Sequence, residues 1–243
     1  MSIHINNLTL SYDHHPAIHH INAVIHEGDW LAVIGPNGAG KSTLMNIIAG
    51  LSKDFEGEVT GLDQAHIAFL PQQTNLDKSF PINVFELVAT GFWDNVGFFK
   101  SVNQKQYKEC VDAIETVGLK GFEHRMIDTL SGGQLQRCLF ARVLVQDKSI
   151  VLLDEPFNAI DSKTLSDLTA VLKQWHDSNR ILIMVTHDLD YVQKNCPKTM
   201  LVAITGANGF LGTYLSNYLE NQKFEKSFPY NCRICIPKIW SRT

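Results

Sequence analysis

The chain has 243 residues, 44% hydrophobic and 19% charged, which is the composition of an ordinary globular protein. That length allows one α/β domain of roughly 200 residues with an appendage, or two small domains, and a core of that size needs no disulfide bonds. The formal net charge of −4 gives no electrostatic reason to expect nucleic acid as the main partner, and five cysteines without a disulfide-framework spacing favour a reducing cytosol.

The predicted elements alternate between strands and helices. We predict strands at residues 3–10, 21–25, 30–34, around 59, 67–70, 150–153 and 181–185, with a His-rich loop joining the first two. We predict helices at residues 41–49, 84–90, 104–117, from 131–133 through 145, and 162–176. Apolar strand runs alternating with helices favour a parallel sheet that is covered on both faces.

No segment predicts a membrane span. The longest apolar runs are far shorter than the ~20 residues that a bilayer requires. The N-terminus alternates apolar and polar residues as a strand does, and it lacks the basic start and apolar run of a secretory signal. We therefore expect a chain that does not cross a membrane itself, so any role in transport requires a separate membrane subunit.

A glycine-rich segment, the phosphate loop, lies between a predicted strand and a predicted helix. It fits the pattern G-x-x-x-x-G-K-[S/T] with Gly35, Pro36, Asn37, Gly38, Ala39, Gly40, Lys41, Ser42 and Thr43. Glycine lets backbone N–H groups wrap closely around phosphates, and the helix start adds partial positive charge. In this pattern Lys41 reaches the β- and γ-phosphates and the Ser42 hydroxyl coordinates Mg²⁺. We therefore predict a site for ATP and Mg²⁺.

Two acidic residues, Asp154 and Glu155, follow an apolar strand run. A nucleotide loop requires a carboxylate for its metal at the end of a neighbouring strand, and Asp154 suits this role through the water shell of Mg²⁺. Glu155 suits the role of proton acceptor for the attacking water. The alternative is an exposed acidic pair that simply ends a core strand.

A third motif, the signature segment of residues 130–134, reads Leu-Ser-Gly-Gly-Gln. With it the chain resembles the nucleotide-binding subunits of ATP-binding-cassette (ABC) transporters, whose signature is LSGGQ. A Ser hydroxyl and Gly N–H groups at a helix start make an anion site. The resemblance implies that Ser131, Gly132, Gly133 and Gln134 face the γ-phosphate of the opposite subunit, in a head-to-tail homodimer that sandwiches two ATP molecules.

Four further positions match the family. The resemblance assigns Tyr12 to stacking on adenine, and Gln72 to contact with Mg²⁺ or water and to coupling with the membrane subunit; Gln73 is the alternative if the register slips by one. It assigns Asp161 to the loop that meets its mate across the dimer, and His187 to the γ-phosphate.

The resemblance covers Met1 to about Met200. It implies an α/β phosphate-loop NTPase core, an ABC ATPase domain over residues 1–200, with a small helical subdomain at about residues 83–130. An atypical tail follows over residues 201–243.

Two segments, residues 79–93 and 155–161, resemble the zinc and manganese import branch of the family. The first follows Gln72, where the family's ATPases contact the membrane subunit, and its aromatic and aliphatic residues suit a socket for a helix. Core packing of the helical subdomain is the alternative. The resemblance implies ATP-driven import of a divalent cation, with a permease, an extracytoplasmic solute-binding protein and a location at the cytoplasmic face of the membrane.

The tail departs from the ABC pattern near Met200. Residues 200–215 resemble the opening of NAD-dependent epimerases, with G-x-x-G-x-x-G after an apolar run. Too few residues follow for a dinucleotide fold, and the next acid, Glu220, lies on the predicted helix, which argues against NAD binding. A fusion or frameshift explains the change, and the strand at residues 199–204 still suits the ABC sheet.

Three alternatives to an active transporter subunit remain open on these grounds. One is an ATP-binding remnant whose turnover is impaired by the replaced C-terminus. Another is a non-transport ABC ATPase, although such proteins usually carry paired cassettes or long insertions. The third is a nucleotide-sugar epimerase, which requires a full-length dinucleotide domain.

Overall fold

The computed structural model describes residues 2–12, 15–63, 66–72, 80–93, 102–157, 160–202 and 233–234, with the backbone alone at 11–12, 15–19 and 233–234. These form strands β1 (Ser2–Tyr12), β2 (His15–His26), β3 (Trp30–Ile34), β4 (Glu56–Thr60), β5 (Ile67–Leu70), β6 (Ile150–Asp154), β7 (Ile181–Val185), β8 (Lys198–Leu201) and β9 (Arg233–Ile234). The α-helices are α1 (Lys41–Ile48), α2 (Val84–Ala89), α3 (Gln104–Thr116), α4 (Gly132–Gln146), α5 (Ser162–Asp177) and α6 (Leu189–Asn195).

The chain divides into two compact units, a first unit of residues 1–64 with 181–243 and a second unit of residues 65–180. In the first unit, β2, β1 and β4 make an antiparallel sheet in that order. Strand β3 pairs in parallel with β7 on one side and with β8 on the other, and β8 pairs with β9. All five side chains of β3 and of β7 are buried, as expected for parallel strands covered on both faces.

The second unit combines one parallel strand pair with most of the helices. Strand β5 pairs with β6, whose five residues are all buried. Helices α2 and α3 begin at capping boxes, in which an Asn side chain accepts from the third helical N–H and that residue's side chain accepts from the Asn N–H. The helix starts are therefore encoded locally by Asn83 with Glu86 and by Asn103 with Gln106.

Most predicted elements are confirmed, with differences at their ends. Strands β1 and β2 run further toward each other than predicted, through Tyr12 and from His15, because each pairs with the other along this stretch. The strand predicted at residues 199–204 forms at Lys198–Leu201 and pairs with β3, while residues 203–204 lie outside the described part of the chain. The short strand β9 is not predicted by the sequence, since residues 233–234 have no strand period of their own.

Among the described residues, no helix combines the length and the apolar character that a bilayer span requires. The division into residues 1–200 and 201–243 and the helical subdomain at residues 83–130 stay predictions. The epimerase-like turn falls on residues 203–215, outside the described part of the chain.

Gly91 marks a close approach inside the second unit. It lies in a 3₁₀ turn after α2, and a Cβ there would lie 2.6 Å from Val145 Cγ2 and 2.8 Å from the Arg142 carbonyl oxygen of α4. We expect Gly91→Ala to lower the free energy of unfolding by about 1–3 kcal/mol, because the added methyl group overpacks this contact.

Urea unfolding followed by circular dichroism measures this change. The matched control is Gly132→Ala, at the start of α4, where a Cβ would meet no atom within 4 Å. Because Ala is the better helix residue, this control should be neutral or slightly stabilising. Equal stabilities of the two variants would contradict the packing account.

Candidate functional site

The phosphate loop connects β3 to α1, as predicted. Gly38 and Gly40 have φ of 78° and 85°, a left-handed conformation that L side chains rarely adopt, and Gly40 directly precedes the helix. The loop is closed by a hydrogen bond from the Ala39 N–H to the Pro36 carbonyl oxygen at 3.2 Å. An anion-binding nest requires left-handed residues of this kind, because they let successive backbone N–H groups face one ligand.

The Lys41 ammonium lies at the phosphate loop itself. Its side chain is only 7% exposed, and its Nζ donates to the carbonyl oxygens of Gly35 at 2.9 Å and Pro36 at 2.8 Å. The two half-buried hydroxyl residues, Ser42 and Thr43, follow in the first turn of α1. A cation, a helix start and hydroxyl donors therefore converge on one loop, which suits a polyphosphate.

Strand register brings His187 to the same sheet edge as the phosphate loop. Val33 of β3 pairs with Val185 of β7 in parallel, so Gly35 and His187 each stand two residues beyond a paired position. The carboxyl ends of parallel strands meet at one edge of a sheet. His187 is exposed, as a residue that contacts a ligand at this edge must be.

An equivalent register in the second unit places Gln72 with the acidic pair. Leu70 of β5 pairs with Leu153 of β6 in parallel, so Gln72 and Glu155 each stand two residues beyond a paired position. Gln72 is exposed, whereas Asp154 and Glu155 are only 2% and 8% exposed. The acidic pair is thus no solvated strand end, because charged side chains are rarely buried so deeply without a specific role.

Glu155 has a backbone conformation that sequence patterns do not reveal. Its φ of 49° lies in the left-handed region, which costs a non-glycine residue roughly 1–2 kcal/mol. The turn directly follows β6 and changes the chain direction between Asp154 and the next residues. Such strain is found preferentially at functional sites, where it fixes the direction of a reacting side chain.

The signature segment is a capped helix start. Ser131 caps α4: its Oγ accepts from the Gln134 N–H at 3.2 Å, and the Gln134 Oε1 accepts from the Ser131 N–H at 3.0 Å. The cap uses the hydroxyl as an acceptor, so it does not consume the hydroxyl proton. The first N–H groups of a helix, here those of Gly132 and Gly133, lack intrahelical acceptors. All three are suitable donors to an anion.

Asp161 has a local role besides the predicted one across a dimer. It caps α5, where its Oδ1 accepts from the N–H groups of Lys163 and Thr164 and its Oδ2 accepts from the Thr164 hydroxyl at 2.8 Å. The hydrogen bonds from Thr164 lower the pKa of this carboxyl group below its usual value. Asp161 is therefore ionised at neutral pH.

The residues assigned to the metal fit Mg²⁺. Ser42, Gln72 and Asp154 offer a hydroxyl, an amide and a carboxylate oxygen, and Mg²⁺ takes oxygen ligands. Among the described residues, no group of three or more His, Cys, Asp and Glu side chains could hold a metal ion. The donor set therefore suits a nucleotide-bound Mg²⁺ better than a transition metal.

Cysteine chemistry plays no part in the described site. Burial raises the pKa of Cys110, Cys138 and Cys196 to about 12, so these thiols stay protonated at neutral pH. The side chain of Tyr12 and residues Gln73, Asn158 and Ala159 lie outside what the structure describes, so the adenine stacking stays a prediction.

One residue that sequence reasoning missed connects two motifs of the second unit. The Gln136 Nε2 donates to the Pro71 carbonyl oxygen at 3.3 Å, directly before Gln72. Gln136 lies one turn into the signature helix, and 65 residues separate it from Pro71. A contact between residues so far apart in the sequence leaves no local pattern. Its only sequence signal is a polar, half-buried residue within α4.

Comparison with known proteins agrees with this geometry. The family model described as "ABC transporter" matches residues 18–158. The chain is 33% identical to the zinc transport system ATP-binding protein TroB of Treponema pallidum, over 90% of this chain and 85% of that protein. It is 38% identical to the manganese transport system ATP-binding protein MntB of Listeria monocytogenes, over 77% and 81%. No relative named here is an epimerase, so the resemblance after residue 200 gains no support.

A solved structure also agrees. The dimeric post-hydrolysis state of the ATP-binding cassette MJ0796, bound to ADP and Pi, superposes with a TM-score of 0.72 at 28% identity, covering 83% of this chain and 94% of that one. The phosphate loop, the acidic pair and the signature helix thus stand on the fold that these proteins share. The chain belongs to the ABC transporter family and is an ATPase of the ATP-binding-cassette type.

Proposed function

We propose that this chain is the ATP-hydrolysing subunit of an ABC transporter that imports a divalent metal cation, zinc or manganese. The observation that carries the ATPase role is the buried Lys41 ammonium at the phosphate loop carbonyls, in a chain that also presents a capped signature helix. The cation assignment is supported by the relatives TroB and MntB, which are named for zinc and manganese transport.

The proposed mechanism uses two copies of the chain. Each phosphate loop binds one ATP, with its N–H groups and Lys41 on the phosphates, and Tyr12 stacks on the adenine. Ser131 and the N–H groups of Gly132 and Gly133 of one copy then cap the γ-phosphate on the other, because a helix start stabilises negative charge. Glu155 accepts a proton from the attacking water, and His187 and Gln72 position the phosphate and that water.

Mg²⁺, when bound with ATP, neutralises charge that develops on the phosphates. Ser42, Asp154 and Gln72 are the residues that would hold it. The chain's own contribution is to present these oxygens, that of Ser42 in the first turn of α1, that of Asp154 at the end of β6 and that of Gln72 two residues after β5.

Four exposed apolar side chains of the second unit, those of Phe80, Trp93, Tyr107 and Met126, suit contact with the permease. These side chains are 62%, 44%, 49% and 38% exposed. The Ile127 N–H donates to the Ile82 carbonyl oxygen at 3.1 Å, which joins the segments of Phe80 and Met126, and the Tyr107 ring lies 4.8 Å from that of Phe85. Exposed aromatic groups of this kind mark docking sites for an apolar helix. We place the subunit at the cytoplasmic face of the membrane through this contact.

Ser131→Ala tests the role of the signature helix. We expect kcat for ATP to fall about 10- to 100-fold, because the γ-phosphate loses a preorganised donor. ATP affinity of the isolated chain should stay unchanged, because the phosphate loop supplies that binding. Phosphate release by the purified full-length chain with Mg²⁺, at several protein concentrations, measures the effect and its dependence on dimer formation.

The matched control is Asn103→Ala, which removes the same type of capping box from α3. Both variants should lose about 1 kcal/mol of stability from the lost cap. Only the serine variant should lose turnover. No hydrolysis by the wild-type chain would favour a binding remnant over an active subunit, and zinc and manganese uptake by vesicles with the permease tests the substrate.

A further inference from the structure

Arg137 connects the signature helix to the end of a neighbouring helix. It lies in α4, within two turns of Ser131, and its Nη1 donates to the carbonyl oxygens of Val117 at 3.4 Å and Gly118 at 3.3 Å. Val117 is the C-terminal cap of α3. A cation at a helix C-terminus interacts favourably with the unpaired carbonyl groups there.

Gly118 lies between Arg137 and the start of α5. Its φ is 71°, and a Cβ there would lie 2.9 Å from the Thr164 Oγ1 and 3.2 Å from the Arg137 Nη1. The two side chains therefore flank the same glycine from different helices. Since Thr164 is 6% exposed, this contact is inside the second unit.

Thr164 extends the connection to the loop after the acidic pair. Its hydroxyl donates to the Asp161 Oδ2 at 2.8 Å and its N–H donates to the Oδ1 at 3.0 Å. Asp161 ends the segment that begins at Glu155. We call Arg137, Gly118, Thr164 and Asp161 the Arg137 cluster. It connects the signature helix to Asp161, six residues after the proposed base Glu155.

We propose that Arg137 is a positioning residue that fixes the signature helix relative to Asp161, the N-terminal cap of α5, six residues after Glu155. This inference rests on the proposed function, in which Ser131 acts on the partner's ATP and Glu155 acts on the ATP of its own chain. The Arg137 cluster sets the spacing of these two groups, so that closing of the dimer brings both into place together.

The hydrogen bonding of Arg137 supports positioning over simple stability. Its Nε is buried and has no acceptor within the described residues, and its two bonds to carbonyl groups are long. A buried donor without a partner costs free energy. An apolar side chain would avoid that cost, but it could not donate to the Val117 and Gly118 carbonyl oxygens, both of which the Arg137 Nη1 reaches.

The test compares Arg137→Ala with Arg180→Ala in the full-length chain. Arg180 is the matched control: it donates to the Lys148 carbonyl oxygen at 3.0 Å and pairs with Asp147, at the other end of the same helix α4. Steady-state phosphate release gives kcat and KM, and calorimetry gives the ATP affinity. Thr164→Val and Thr164→Ser repeat the test at the far side of the cluster.

We expect Arg137→Ala and Thr164→Val to lower kcat about tenfold or more, because misplaced reacting groups lose rate steeply. ATP affinity should not change, Arg180→Ala should keep its kcat, and Thr164→Ser, which keeps the hydroxyl, should restore turnover. The kcat of Arg137→Lys should lie between those of the wild type and Arg137→Ala, since lysine keeps the charge but replaces the planar guanidinium by a compact ammonium.

The inference is overturned if Arg137→Ala and Arg180→Ala have the same kcat, or if Thr164→Val turns over like the wild type. A fall in ATP affinity that matches the fall in kcat would also overturn it, since that indicates general damage. Should Arg137→Ala fail to fold, the kcat values of Arg137→Lys, Thr164→Val and Thr164→Ser test the inference in its place. A wild-type chain without hydrolysis refutes instead the proposed function, so the two failures are distinct.

Discussion

Replacing Glu155 by Gln is expected to lower kcat for ATP by about 10²- to 10⁴-fold, the usual contribution of a general base. The amide keeps the shape of the side chain and its left-handed backbone, and it cannot accept the proton of the attacking water. Since Glu155 is only 8% exposed, a base from solution cannot take its place. ATP affinity should stay unchanged, because the phosphate loop supplies the binding.

Two measurements check this expectation. Phosphate release gives kcat, and size-exclusion chromatography with ATP and Mg²⁺ should detect a lasting dimer, because two bound ATP molecules are no longer consumed. The control is Glu58→Gln on the exposed strand β4, which should behave as the wild type. Undiminished hydrolysis by the Glu155 variant would remove this residue from the role of base.

Replacing Gly35 by Ala is expected to cost about 3 kcal/mol of stability or more and to abolish ATP binding. The φ of Gly35 is 152°, and an added Cβ would collide with the Val202 carbonyl oxygen. That carbonyl is fixed, because the Val202 N–H donates to the Ile34 carbonyl oxygen at 2.8 Å. A backbone conformation that side-chain-bearing residues rarely adopt costs roughly 1–3 kcal/mol, and overpacking adds about 1–3 kcal/mol.

The matched control is Gly121→Ala. Gly121 also has a positive φ, 84°, but a Cβ there would meet no atom within 4 Å. The free energy of unfolding of this variant should fall only by the cost of backbone strain, and its ATP affinity should stay unchanged. Urea unfolding and calorimetric ATP titration measure both quantities, and a Gly35 variant as stable as the Gly121 variant would show that β8 does not confine the loop.

Gly35 also illustrates what a sequence pattern does not predict. The phosphate-loop pattern predicts a glycine at this position for contact with phosphate. The structure adds another cause, since the end of β8 passes so close that no side chain fits. This contact joins residues 35 and 202, and the strand pairing of β3 with β8 creates it.

The sequence by itself determined the motifs and their chemistry. The phosphate loop, the acidic pair and the signature segment are short runs, because a row of N–H groups or a helix cap is built from residues within a few positions of one another. The same holds for the helix starts, where Asn103 and Ser131 act on residues three positions away. The order of these motifs along the chain was sufficient to predict the fold class.

Only the tertiary structure decided how these motifs stand relative to distant residues. Strand register aligned Gln72 with Glu155 and Gly35 with His187. Packing of separate helices assembled the Arg137 cluster, and the turn after β6 gave Glu155 its left-handed backbone. These features depend on contacts between segments far apart in the chain, and a local pattern of residue types carries no record of which distant backbone will lie beside it.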